Sequence, residues 1–216
     1  MPGDRKQQKA PRRRSQAERR AATRARILDA ATHVFADIGY EVATMDQVAA
    51  AAEVSKGGLY WAFPSKEELL FALLDERLDQ PLRALFDAIK EAPTTADTAP
   101  WTSQALAALI TEHPGLVLVL HDIRALAARH PRLRERFAAQ QQRLRREMGD
   151  AFETRYARTG VPLPFSGERL ATAVIALAEG LALTRLADPS APTDDLLGDI
   201  LTRIYNGIAA DHTLSQ

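Results

Sequence analysis

Between Thr44 and Leu70 the chain carries three helix-start signals in quick succession, and this crowding constrains the fold more than any other feature. Thr44-Met-Asp-Gln47 has the spacing of a capping box and opens a short helix through Ala52. Ser55 caps a second short helix, to about Phe63, after a turn at Glu53 and Val54. Pro64 ends that helix, and Ser65-Lys-Glu-Glu68 is a second capping box that opens a longer one. Two short helices joined by a tight turn have the grammar of a helix-turn-helix.

The rest of the chain repeats the helical period. Ile27, Ala31, Val34, Phe35 and Ile38 form one stripe on a helix that begins near Glu18, and Gly39 is placed to end it in a left-handed conformation. Leu69, Leu70, Leu73, Leu74 and Leu78 line the inner side of the helix after Ser65, which Pro81 is expected to kink before it ends near Lys90. Residues 91–100, 160–167 and 188–193 read as loops by composition. Helices are expected over about 102–112, 115–129 and 132–158. Two more flank the last loop, one with Leu170, Val174, Leu177, Ala178 and Leu181, the other with Leu196, Ile200, Leu201, Ile204 and Ile208. No stretch shows sustained two-residue alternation, so the expected fold is all-α with about nine helices.

Composition narrows the function. With no cysteine, thiolate metal sites, disulfides and cysteine nucleophiles are excluded. The five histidines show no HExxH spacing, and no GxSxG, Walker-type or GxGxxG loop is present, so neither enzyme chemistry, cofactor nor metal is expected. The longest strongly apolar run is Leu116 to Leu120, and the N-terminus is basic where a secretory signal needs apolar residues, so a soluble, cytoplasmic protein is expected. A net charge of zero hides an asymmetry. Residues 1–66 carry 12 basic and 7 acidic side chains, and residues 67–216 carry 16 and 21. Either a basic head meets a polyanion, or residues 1–17 are simply a solvated, disordered arm.

In the 44–63 unit, Val48, Ala49, Ala52, Val54, Leu59 and Phe63 can bury together, leaving Lys56, Gly57, Gly58, Tyr60, Trp61 and Ala62 outward. Two glycines in a short helix cost about 1 kcal/mol each against alanine, a sacrifice that suits close approach of backbone to another surface or an ordinary loop. Adjacent Tyr60 and Trp61 offer phosphate donors and rings for sugars or thymine methyls, although part of Trp61 is expected to pack inward.

The run TMDQVAAAAEVSKGGLYWAFPSKEELL, residues 44–70, closely resembles the DNA-binding signature of TetR-family transcriptional regulators, and Arg24, Ile27, Leu28, Ala30, Ala31, Phe35 and Gly39 resemble that family's first helix. The resemblance implies a three-helix DNA-binding domain over residues 18–66 and an effector-binding and dimerisation domain over 67–216. It implies a homodimer on a palindromic or near-palindromic double-stranded operator, acting as a repressor that a small molecule releases. Thr44, at the start of its helix with Met45, would touch a phosphate. Ser55 would cap the recognition helix, Lys56, Gly57 and Gly58 would face base edges, and Tyr60 and Trp61 would contact backbone or bases. Lys66 would hold a phosphate, and Arg12, Arg13 and Arg14 would reach the minor groove. Glu53 departs from the family's usual glycine in the turn, at a cost of about 1–2 kcal/mol if it is left-handed.

Helices between about 80 and 160 would enclose the effector cavity, with Phe86, Trp101, His113, His121, Met148, Phe152 and Tyr156 as candidate lining, each equally readable as core or surface. The effector is expected to be apolar or aromatic. Arg132, Arg134, Arg136, Arg143, Arg145 and Arg146 read as a solvated face. The last two helices, with small residues Ala171, Ala178, Gly180 and Ala182, suit a twofold four-helix interface or packing within one chain. A DNA-binding architectural protein with no effector shares every feature of residues 1–70.

Overall fold

The computed structural model describes residues 15–91, 112–159, 163–193 and 195–204, and every regular element among them is helical. The helix expected over 102–112, the arginines at 12–14, Trp101 and Ile208 lie outside the described residues, and with them the expected total of about nine helices.

Helix α1 (Gln16–Ile38) starts two residues ahead of the expected Glu18, because Ser15 and Glu18 form a reciprocal capping box. The Ser15 hydroxyl accepts from the Glu18 N–H at 3.1 Å, and the Glu18 carboxylate accepts from the Ser15 N–H at 2.6 Å. Gly39 ends the helix with a φ of +82°, donating its N–H to the Phe35 carbonyl. Its ψ of 148° is extended, so the glycine supplies a positive φ without the expected left-handed helical turn.

Helices α2 (Met45–Ala51) and α3 (Lys56–Ala62) follow, capped by Thr44 and Ser55 as their spacing requires. The Thr44 box closes on both sides through Gln47. Helix α4 (Lys66–Leu74) is capped by Ser65, but the second capping box only half forms. The Ser65 hydroxyl accepts from the Glu68 N–H, whereas the Glu68 carboxylate is drawn away by two bonds from the Arg136 guanidinium, at 2.6 and 2.9 Å. An ion–ion bond of this kind outcompetes a bond to a neutral amide.

The break expected at Pro81 takes the form of a widened π turn, Asp75–Asp79, between α4 and α5 (Gln80–Glu91). Proline has no N–H to give and its ring crowds the carbonyl four residues back. Widening the preceding turn, with the Gln80 N–H reaching back to the Asp75 carbonyl, absorbs that conflict without ending the helix.

Helices α6 (Pro114–Ala127), α7 (Pro131–Thr159), α8 (Gly167–Ala187) and α9 (196–204) complete the described chain. Asp79 meets Gln140, Arg83 meets Glu147 and the Lys90 carbonyl meets Arg158, so α5 and α7 run side by side in the same direction. Helix α8 returns along α7, and the two cross where glycine faces glycine. A Cβ on Gly149 would lie 2.6 Å from the Glu168 nitrogen, and one on Gly167 would run into the Gly149 carbonyl. The Glu153 carboxylate fixes this crossing by accepting from the Gly167 N–H at 2.7 Å.

One apolar core runs through both halves, from Ile27, Leu28 and Phe35 past Leu69, Leu70 and Leu73 to Phe86, Met148, Phe152 and Val174. Polar links tie the first three helices to the rest. The Tyr40 N–H donates to the Asp122 carboxylate at 2.7 Å, Arg77 pairs with Asp29, and Arg24 pairs with Glu76. Arg136, expected on a solvated face, instead clasps Glu67 and Glu68 of α4. Arg132, Arg134, Arg143 and Arg146 are exposed as expected.

Candidate nucleic-acid interface and ligand cavity

Helix α3 is held from behind by Leu59 and Phe63, which pack into the core with Val48, Ala49 and Ala52, while Val54 is half-buried. Glu53 in the turn has a φ of +53°, the left-handed conformation in which glycine would carry no strain. The outward face then carries Lys56, Gly57, Gly58, Tyr60 and Trp61, all exposed. Trp61 is 71% exposed and Tyr60 48%, so the expected partial burial of Trp61 does not occur. A residue-by-residue helix rotation explains this, since Leu59 and Phe63 take the inner face and leave position 61 opposite.

The two glycines have different surroundings. A Cβ on Gly57 would meet nothing within 4 Å, whereas one on Gly58 would lie 3.2 Å from the Ser55 hydroxyl that caps the helix through the Gly58 N–H. Gly57 therefore leaves the backbone open to an incoming surface, and Gly58 leaves room for the cap. Beside this face, a groove between α1 and α3 is lined by Arg19, Arg20, Thr23, Arg24, Gly58 and Trp61. The Arg20 guanidinium stands 5.1 Å from the centre of the Trp61 ring. Sequence reading did not place Arg19 or Arg20 at the interface, although the N-terminal excess of basic residues was the signal.

Three residues expected at DNA are engaged elsewhere. Met45 is buried beneath α2, so its side chain packs in the core. Lys56 forms an ion pair with Asp46, which raises the lysine pKa. Lys66 donates to the carbonyls of Tyr40, Glu41 and Ala43 at 2.8, 3.0 and 2.7 Å. An ammonium has three donors, so none remains for a phosphate here. Lys66 is thus a clamp on the loop between α1 and α2. Burial lowers its pKa, and its ammonium sits 4.7 Å from the Tyr40 ring, whose own hydroxyl burial pushes up to about 12.

The second feature is a cavity of about 270 Å³ among the π turn, α5, α6, α7 and α8. Leu82, Phe86, Leu116, Leu144 and Met148 supply its apolar wall, and His121, Arg124, Gln141 and Glu179 are its polar residues. Of the expected lining, Phe86, His121 and Met148 border this space. Phe152 and Tyr156 are fully buried core residues that do not, because they lie one and two turns farther along α7 from Met148. His113 is exposed at the start of α6, outside the cavity, where the helix begins at Pro114. Arg124 and Glu179 pair at 2.7 Å, and burial raises the Glu179 pKa.

A neighbour of the cavity lining reaches the head. His121 and Arg124 border the cavity, and Asp122 between them holds the Tyr40 N–H. Leu78 borders the cavity, and its neighbour Asp79 accepts from the Gln140 amide at 2.7 Å. Gln141, next in sequence, faces the cavity again. Sequence reading missed Asp79, Gln140 and Gln141, because an acid and two amides among other polar residues carry no periodic mark.

Comparison with known proteins places this geometry. Residues 27–73 match the family described as bacterial regulatory proteins, tetR family, and residues 93–207 match the tetracyclin repressor-like C-terminal domain. The fatty acid metabolism regulator protein of Bacillus subtilis is 31% identical over 97 residues, 45% of this chain and 46% of that one. The chain thus spans about half the length, or less, of the first curated relatives it matches. In fold, a TetR-family regulator from Rhodococcus aligns with a TM-score of 0.70 at 25% identity, covering 87% of this chain and 98% of that one. The FadR regulator of B. subtilis in complex with stearoyl-CoA aligns at 0.69 with 17% identity, covering 85% and 96%. A helix-turn-helix capped at Thr44 and Ser55, joined through a π turn to a helical body that matches the C-terminal domain over more than half the chain, makes this protein a member of the TetR family of bacterial transcriptional regulators.

Proposed function

We propose that the chain is a sequence-specific DNA-binding repressor, working as a homodimer on a near-palindromic operator and released by a small apolar effector. The observation that carries the DNA reading is the α3 face, where Tyr60 and Trp61 stand exposed beside the open backbone of Gly57 and the arginines of α1. Two adjacent exposed aromatics on a short, glycine-containing helix are accounted for by a partner that covers them. Tyr60 and Trp61 would contact sugars or phosphates, and Arg19 and Arg20 would neutralise the flanking backbone.

The dimer reading rests on α8. Its outward face exposes Thr172, Ala173, Ala176, Gly180 and Thr184, small residues that let a second helix approach closely. This helix is long and apolar enough to cross a membrane by length and composition, but it packs against α7, and Glu179 pairs with Arg124. The effector reading rests on the cavity and on Asp122, which lies between the lining residues His121 and Arg124 and holds the Tyr40 N–H. A ligand changes DNA affinity only through unequal binding to two arrangements of the head. Moving the His121–Arg124 edge would shift Asp122 and, through it, the Tyr40 N–H. The B. subtilis regulator solved with stearoyl-CoA supports an apolar ligand in a body of this fold.

Selection of bound duplexes from random DNA, followed by titration of the enriched site, tests the reading. It predicts a near-palindrome that binds two chains in the presence of excess nonspecific competitor, with a steep negative dependence on salt. Failure to enrich any sequence would overturn it.

A further inference from the structure

The cavity has one largely buried polar residue with no hydrogen bond among the described residues. Gln141 is 94% withdrawn from solvent by its 6% exposure, borders the cavity, and makes no hydrogen bond among the described residues. Its neighbour Gln140 points the other way and is held by Asp79. The lining is otherwise Leu, Met, Phe and other apolar side chains apart from His121, Arg124 and Glu179, so a primary amide with two donors and an acceptor borders a mostly apolar space. Such a group offers both donors and an acceptor to a molecule in the cavity.

The charges at the same cavity are already matched. The Arg124 guanidinium pairs with Glu179 at 2.7 Å and stands over the ring of Phe137, one helical turn before Gln141 on α7. A ligand carboxylate taking Arg124 would strip Glu179 of its partner, and a ligand ammonium taking Glu179 would strip Arg124. The first exchange leaves the half-buried Glu179 carboxylate uncompensated, and the second gives up the same pair from the more exposed Arg124 side. An uncharged hydrogen-bonding group does neither, and finds the free amide waiting.

We propose that the cavity takes an elongated apolar molecule with an uncharged oxygen headgroup, an alcohol, ester or amide, that hydrogen-bonds the Gln141 side chain while its chain lies along Leu82, Phe86, Leu144 and Met148. This deepens the effector reading above and rests on it. Gln141 is the specificity residue, and the Arg124–Glu179 pair excludes charged analogues.

The test uses the purified full chain and the apolar dye N-phenyl-1-naphthylamine, displaced in turn by 1-decanol, decanoate and decylamine at one pH near neutrality. These share a chain and differ in headgroup. Decanol should displace the dye at about one-tenth the concentration needed by either charged compound, the scale of one net hydrogen bond. In Gln141→Leu the decanol advantage should fall about tenfold, while the thermal midpoint holds or rises, because an unsatisfied amide has been removed. A lowered midpoint would instead give Gln141 a structural role and overturn the proposal. Tightest displacement by decanoate or decylamine, or unchanged decanol binding in Gln141→Leu, would overturn the headgroup assignment and leave the cavity as a ligand site. Dye that neither binds nor is displaced by any decyl compound would overturn both the assignment and the effector reading.

Discussion

The head and the body of this molecule treat polar groups in opposite ways. From α1 to α4, polar residues close helix ends or stand in solvent: Ser15, Thr44, Ser55 and Ser65 cap, Lys66 clamps three carbonyls, and Tyr60 and Trp61 project outward. The body instead buries Asp79, Gln140, Gln141 and Arg155 among apolar side chains. One Asp79 oxygen and the Gln140 carbonyl oxygen have no hydrogen-bond partner among the described residues. The difference is physical. A head that must present one rigid face to DNA gains from satisfying every local bond. A body that must respond to a ligand needs groups whose best partner is not yet present.

The sharpest way to break this contrast is at Lys66. If it is a clamp, Lys66→Met removes three charge-assisted bonds and lowers stability by about 3 kcal/mol, read by urea or thermal unfolding. A fully stable variant that has lost only DNA affinity would return Lys66 to phosphate binding.

Asp79 is the complementary test in the body. Burial pushes its pKa to about 6 against the ordinary 3.8. The folded state therefore favours the protonated acid, and stability contributed by that proton is present at low pH and lost as pH rises from 4 through 6. Asp79→Asn should be more stable than the parent above pH 6, by about 2 kcal/mol, and the gap should close toward pH 4. A variant less stable at pH 7.5 would mean that the carboxylate is a favourable partner of Arg83, 4.0 Å away.

Smaller effects test the recognition face. Tyr60→Ala or Trp61→Ala should each weaken operator binding about tenfold with unfolding unchanged, because neither ring packs in the core. Smallest is Glu53→Gly, which relieves the left-handed backbone and should add about 1 kcal/mol of stability.

The head was legible because its signals are local. Capping serines and threonines, Gly39 and Pro64 act within four residues, and the apolar stripe of α1 repeats at a fixed period. Even there, the three carbonyl partners of Lys66 and the burial of Met45 were not legible. A lysine's partners and a methionine's direction depend on how α1, α2 and α4 cross, which no local spacing encodes. In the body, helix extents followed from Pro131 and the leucine patterns, but the cavity did not. His121 and Phe86 were recognisable as candidates by type, whereas Gln141 matters only because α5, α6 and α8 wall it in. Phe152 and Tyr156 have the right chemistry for a pocket and sit one and two turns too far along α7. The π turn was half legible: Pro81 announces a conflict, and only packing decides that widening resolves it.

The most direct test of the central claim is fluorescence anisotropy of the full chain on its selected operator, with excess nonspecific DNA and a salt series, for the parent and Trp61→Ala. The account predicts competitor-resistant binding of two chains per site, a steep negative salt slope, and a loss of about tenfold in the variant at unchanged thermal midpoint. Operator affinity in Trp61→Ala equal to the parent's would contradict it, because the exposed α3 face would then not be the surface that reads DNA.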